Sequence, residues 1–313
     1  MRRQLNTKLG LERGKQSLAG GSARERMLAG LPVAGRRLQV ADTSTAVLEG
    51  GGGRPLIVLH GGIECGGAYW APVISRLAQG YRLIVPDAPG LGESDPVARL
   101  DAETFARWLR ELIRLTCDER PTLVAHSLLG TLAARFAAAH TDSLARLIIY
   151  AAPGVGTYRM PLGLRIVAIR FALRPTERNE ERFERFALLD RERTRRRDPV
   201  WFDSFSAYAL SRAQVRHVKR TMGGLIKSGT KRVPDAQLGR IEVPAALLWG
   251  RHDRMTPLPV AEVASARLGW PLHVVDDAAH VPHIEQPEGF VVALADALGE
   301  ELTAGASETE AVQ

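Results

Sequence analysis

Three residues far apart in the chain are of the types that nucleophilic acyl transfer needs: Ser127 in the run VAHSLLG, Asp253 in WGRHDRMTP and His280 in AAHVPHIEQPE. A serine hydroxyl is a weak nucleophile at neutral pH. An imidazole must take its proton during the attack, and an acid must hold that imidazole in the right tautomer. The three groups work only as a unit, so the elements that carry them must deliver them to one point.

Local sequence indicates how. Pro121-Thr122-Leu123-Val124 is a short β-prone apolar run, and Thr131 to Ala139 is strongly helix-forming with no Gly or Pro. Ser127 therefore falls on a strand-to-helix turn. There the first free amides of the helix, Leu128 foremost, point at a developing oxyanion, aided by the positive end of the helix dipole. An earlier buried-strand pattern, Pro55 to His60, runs into Gly61-Gly62, where backbone can approach a substrate carbonyl, and the amide of Gly62 is the expected second donor. Asp253 lies just past the strand pattern Val243 to Gly250, before a helix expected over Leu258 to Leu268. Catalytic groups gather at the carboxyl ends of parallel strands. The rival acids Asp276 and Asp277 precede His280 too closely to orient it from across a site. His280 follows the short strand Leu272 to Val275. Its rival His283 is expected in the first turn of a helix or lining the pocket, with Gly61, Ile63 and His126 as further pocket residues.

The stretches HGG (60–62), PDAPGLGESD (86–95), AHSLLG (125–130), GRHDRMTP (250–257) and HVPHIEQPEGF (280–290) together resemble the successive signatures of the α/β-hydrolase superfamily, over roughly residues 31–300. The chain order serine, acid, histidine is that family's order. The resemblance implies an α/β fold with a mostly parallel central sheet flanked by helices and a helical cap. It also implies a Ser-His-Asp triad of Ser127, His280 and Asp253 that needs no cofactor and no metal. Because the nucleophile position holds Ser rather than Asp, it implies a seryl acyl-enzyme and not an alkyl-enzyme.

The chain departs from the family pattern where that pattern is tightest. The usual elbow is G-x-S-x-G, but here the flanking positions are Ala125 and Leu129, with glycine only at Gly130. A branched side chain at 129 must find room where strained backbone and close helix packing usually leave none. Ala279 stands where glycine commonly precedes the histidine. The glycines of PDAPGLGESD do not have dinucleotide or phosphate-loop spacing, and that segment is expected to be a tight turn after a strand over Tyr81 to Val85.

At 313 residues and 45% hydrophobic content, the chain can bury a large core. No apolar run approaches the ~20 residues that span a bilayer, and no secretory signal is evident. Two cysteines, Cys65 and Cys117, give neither a disulfide framework nor metal-ligand spacing, so a reducing cytoplasm is expected. The expected organisation is a basic flexible arm (1–30), a first core segment (31–153) with helices near 69–79, 101–117 and 128–140, a cap (154–235), a second core segment (236–300) and a frayed tail (301–313). The cap carries 19 Lys and Arg against 9 Asp and Glu, while the whole chain carries 42 against 35. Such a cap can focus an anionic substrate over a site, or its charges can be a solvated, internally paired surface. No nucleic-acid-binding motif is present.

The expected function is hydrolysis of a small carboxylic ester. C–C bond hydrolysis of ring-cleavage keto acids, cofactor-free perhydrolase chemistry, and a catalytically silent ligand-binding homologue are the alternatives.

Overall fold

In the computed structural model, which describes residues 21–62 and 64–299, the chemistry-bearing loops all hang from one eight-stranded sheet. Its spatial order is β1 (Val33–Val40), β2 (Thr43–Gly50), β4 (Tyr81–Pro86), β3 (Arg54–Leu59), β5 (Thr122–His126), β6 (Arg146–Tyr150), β7 (Ala245–Gly250) and β8 (Leu272–Val275). β2 runs antiparallel to both neighbours, and all pairs from β4 to β8 are parallel. The central strands β3 and β5 read as unbroken apolar runs, as strands covered on both faces must. Their paired residues Ile57, Val58, Leu123 and Val124 have no solvent exposure.

The helices α2 (Ala71–Leu77), α3 (Ala102–Thr116), α4 (Ser127–Ala139), α11 (Pro259–Leu268) and α13 (Pro287–Leu298) flank the sheet. α3 shows how sequence sets one of them. The Asp101 carboxylate caps it by accepting the Thr104 amide at 3.1 Å. Phe105, Trp108, Leu109 and Leu112 then recur at helical spacing and are all buried. Trp108 reaches across to donate its indole N–H to Thr45 Oγ1 at 3.0 Å, which ties the helix to β2.

The segments expected at 55–60, 81–85, 101–117, 128–140 and 243–250 are present within a residue or two. The helix expected near 69–79 begins instead as a 3-10 turn over Gly66–Trp70 and becomes α-helical only at Ala71.

Residues 1–20 and 300–313 lie outside the described residues, and with them most of the expected arm and the whole of the expected tail. The remainder of the arm is not loose. Residues 23–28 form helix α1 (Ala23–Leu28), closed by a reciprocal cap in which the Glu25 amide donates to Ser22 Oγ at 3.2 Å and the Ser22 amide to Glu25 Oε2 at 2.6 Å. Its Met27 is buried in a cluster with Phe202, Phe205 and Tyr69.

Between β6 and β7 the chain leaves the sheet and forms α5 (Leu162–Leu173), α6 (Glu177–Ala187), α7 (Arg191–Arg197), α8 (Pro199–Ala213), α9 (Arg216–Gly229) and the short α10 (Asp235–Leu238). This insertion is not a detached layer. Val218 and Leu225 of α9 belong to the main hydrophobic core. A Cβ at Gly229 would lie 2.7 Å from that of Leu128, so α9 abuts the start of α4 directly. No helix among the described residues is long and apolar enough to cross a membrane.

Candidate active site

Ser127 follows the last residue of β5 and opens α4 with φ of +51°, one of four non-glycine residues with positive φ among those described. This conformation is costly for an L-residue and persists only where surroundings enforce it. Two of those surroundings are visible. A Cβ at Gly61 would stand 3.2 Å from Ser127 Cβ, and a Cβ at Gly130 would stand 2.7 Å from the Ala125 carbonyl oxygen and 2.9 Å from Ala152 Cβ. The close approach that glycine serves here is thus made by Gly130 and Gly61. Leu129 has no solvent exposure and is part of the main core. The expected crowding at Leu129 is therefore resolved by burial of its side chain, and the turn keeps its geometry.

Asp253 and His280 complete a hydrogen-bonded chain. Ser127 Oγ lies 3.0 Å from His280 Nε2, and His280 Nδ1 lies 2.8 Å from Asp253 Oδ2. The other oxygen of Asp253 accepts the amides of Met255 and Thr256, each at 2.8 Å. The Trp249 indole donates to the Thr256 carbonyl at 2.8 Å and closes that loop onto β7. Every acceptor on the carboxylate side is engaged, so the imidazole is held with Nε2 toward the serine. All three side chains are buried. Asp276 pairs instead with Arg251, and Asp277 is an exposed turn residue with φ of +52°.

The expected pocket residues divide. Gly61, Gly62, Leu128 and His126 line a cavity of about 240 Å³ together with Ser127 and His280. A Cβ at Gly62 would stand 2.5 Å from Leu128 Cδ1, so the two residues expected to supply the oxyanion amides face each other beside the serine. His126 Nε2 lies 3.0 Å from the carbonyl oxygen of His280. A carbonyl only accepts, so Nε2 carries the proton, and burial pushes the ring well below the usual histidine range. His126 is thus a neutral brace under His280. His283 is not in the cavity lining: it is fully buried among Tyr69, Trp70 and Phe290 with Nδ1 3.0 Å from the Tyr150 hydroxyl. Within the one-turn helix α12 (Pro282–Glu285), Ile284 lines the cavity while His283 packs into the core. Ile63 lies outside the described residues.

His60 holds the glycine loop from behind. Its Nδ1 donates to the Gly61 carbonyl at 2.6 Å and its Nε2 accepts the Ala88 amide at 3.0 Å. Burial lowers its pKa to about 4, so it stays neutral. Asp87 does comparable work in the neighbouring PDAPGLGESD turn, accepting the amides of Gly67 and Glu93 at 2.5 and 2.7 Å.

Sequence reasoning missed the fastening between insertion and triad. The His280 amide donates to the Ala187 carbonyl at 3.0 Å, and Arg254 donates to the Leu188 carbonyl at 2.8 Å. Buried Glu285 accepts the Ala279 amide at 2.7 Å with one oxygen and the Leu189 amide at 2.5 Å with the other. Residues 187–189 are thus bonded to both loops of the triad. The glutamate five residues after His280 was visible in the sequence, but one of the two amides that donate to it, that of Leu189, comes from a segment distant in the chain.

Sequence also missed three carboxyls in the cavity wall. Glu64, Glu180 and Glu184 all line it, among mostly apolar neighbours such as Leu164, Phe171, Phe183 and Met222. Among the described residues, exposed Lys219 is the only Lys or Arg of the lining. Two arginines of the insertion are already paired, Arg191 with Glu184 of the cavity wall at 2.6 Å and exposed Arg195 with Asp203 at 2.7 Å. Among the described residues no group of His, Cys, Asp and Glu side chains is placed to hold a metal ion.

A sheet of this order, with a strained serine after β5 and an acid and histidine after β7 and β8, defines the class, and the chain belongs to the alpha/beta hydrolase fold family, whose model matches residues 54–287. Among relatives it resembles the 2-hydroxy-6-oxo-6-phenylhexa-2,4-dienoate hydrolase of Comamonas testosteroni, 27% identical over 77% of this chain and 86% of that one. Similar solved folds include a bacterial membrane phospholipase A (TM-score 0.75, 21% identity, 96% of this chain and 98% of that one) and the naproxen esterase of Bacillus subtilis (TM-score 0.74, 18% identity, 88% and 95%).

Proposed function

We propose that this protein is a serine hydrolase that cleaves small carboxylic esters through a covalent acyl-enzyme. The observation that carries the reading is the continuous chain Ser127, His280, Asp253 at 3.0 and 2.8 Å, ending on a serine at positive φ in the wall of a cavity. Ser127 Oγ attacks the ester carbonyl carbon while His280 Nε2 takes the hydroxyl proton, and Asp253 supports the resulting imidazolium. The oxyanion sits against the amides of Gly62 and Leu128. On collapse the alcohol leaves with the proton from His280. Water then attacks the acyl-enzyme, its proton passing to His280, and the acid departs as Ser127 recovers its proton.

C–C hydrolysis of keto acids is the second reading, and its support is the named Comamonas relative. The lining weighs against it, and against the anionic substrates that the cap charge suggested. A dienoate brings a carboxylate into a cavity that offers Lys219 and three carboxyls.

The test is labelling of wild type and Ser127→Ala with a fluorophosphonate probe, followed by turnover of 4-nitrophenyl esters. Labelling and turnover should both require Ser127. A folded wild type that neither labels nor turns over esters would overturn the reading in favour of a silent binding protein.

A further inference from the structure

The triad accounts for one end of the cavity chemistry and leaves its acidic side chains unused. Glu180 is the informative one. It sits on α6, is 6% exposed, lines the cavity, and its carboxyl makes no hydrogen bond to any described residue. An unpartnered polar group buried to this degree in an apolar wall costs stability. Its neighbours add to the cost: Glu64 and Glu184 line the same cavity, and Arg191, a cation that acts on Glu180, is already bonded to Glu184. Burial raises all three groups, Glu64 to about 7 and Glu180 to about 9, and at Glu180 the neighbouring Glu184 and Glu64 add to the rise. A carboxyl that holds its proton still accepts through its carbonyl oxygen, and a cation placed against it favours the ionised form, while a further carboxylate adds another acid to a group already disfavoured as charges.

We propose that Glu180 and Glu64, backed by the Arg191-bound Glu184, form a polar subsite in the cavity that accepts a hydrogen bond from a hydroxyl or ammonium group carried by the substrate. The proposal rests on the hydrolase reading above and gives it a substrate class: esters that are apolar along most of their length, with one hydrogen-bond donor and no carboxylate. Sites built to bond a donor discriminate strongly against the analogue lacking it, because the buried acceptor is then left unpaired.

The experiment uses two sets of 4-nitrophenyl or fluorogenic esters of matched length, one set carrying the variable group on the acyl side and the other on the alcohol side. In each set the chain ends in methyl, hydroxyl, ammonium or carboxylate. In at least one set, wild type should favour the hydroxyl or ammonium ester over the methyl ester by about tenfold in kcat/KM and should handle the carboxylate ester worst. The readout is that ratio within each variant, with thermal melting as the check on folding. Glu180→Leu should erase the preference. Should Glu180→Leu fail to fold, the near-isosteric Glu180→Gln serves, reducing the ammonium preference more than the hydroxyl preference. An active wild type that prefers the methyl ester in both sets overturns the subsite, as does a preference that survives in the folded Glu180 variants. Failure of the triad reading is seen separately, as turnover of the methyl esters by Ser127→Ala.

Discussion

The two walls of the cavity are built by opposite rules. On the sheet side, Asp253 has both oxygens occupied, His280 is bonded at both ring nitrogens, and Glu285 accepts two amides. On the insertion side, Glu180 stands in an apolar wall with no hydrogen-bond partner among the described residues. Groups that must hold one geometry through a reaction are over-determined by their surroundings. Groups that recognise a substrate must keep a bonding position free for it. The contrast separates where chemistry is fixed from where selectivity is set, and each variant below either breaks that division or sharpens it.

Asp253→Asn gives the largest effect. The amide oxygen can still accept from Met255 and Thr256, so its NH2 group is turned toward His280 Nδ1. That forces the tautomer with the proton on Nε2, which cannot take the proton of Ser127. Steady-state kinetics should show kcat lower by about 10³–10⁴-fold with melting temperature little changed. A loss under tenfold would mean the sheet wall is less determinate than its bonding implies.

Leu129→Gly follows. Leu129 fills core space at no exposure, so the family's usual glycine would here open a cavity and loosen a helix. Denaturant unfolding should show a loss of about 3–5 kcal/mol, with no gain in turnover per folded molecule. A large gain in turnover would show instead that Leu129 obstructs the elbow.

Glu285→Gln acts at the seam between the walls. Gln offers one acceptor where two amides, those of Ala279 and Leu189, now need one each. Loosening the histidine loop from residue 189 should lower kcat about tenfold, a modest misplacement of a positioned base. Unchanged kcat would show that the contacts of Ala187 and Leu188 suffice alone.

How much of this was legible beforehand follows the range of the interactions. The triad, the glycine loop and the helices 102–116 and 127–139 were readable because a buried strand, a turn and a helix signal sit within a few residues of each functional group. β1 and β2 were not assigned as strands: the arginines and Gly35 of β1 blur the apolar alternation of an exposed edge. The cap box Ser22/Glu25 was a local signal for α1, passed over inside a Gly- and Arg-rich stretch. Of the two places expected for His283, the first turn of a helix is the one it occupies and the cavity lining is not, because periodicity does not say which side chains of a one-turn helix meet the core. The cap charge misled for a related reason. Net charge counts arginines that point to solvent or to partners, while the cavity wall holds three carboxyls, two from α6 and one from the loop after β3.

Those carboxyls make the last and smallest effect a matter of pH. The Glu180 carboxyl is raised to about 9 by burial first, then by Glu184 and Glu64, with Arg191 opposing and Glu177 adding to the rise. In the unfolded chain it returns to an ordinary carboxyl value near 4.5. Between those values the native state holds a proton that the unfolded state has released, so this group's contribution to stability is complete below about 4.5 and is lost as pH rises through about 9. Glu180→Gln removes the titration while keeping the shape. Thermal melts from pH 5 to 9.5 should show the wild type losing a few degrees more than the variant across that window, with the two curves closest at the acid end and the variant higher at the alkaline end. Parallel curves would mean that Glu180 is already ionised and compensated at neutral pH. The insertion wall would then be as fully paired as the sheet wall, and the division between the two would fail.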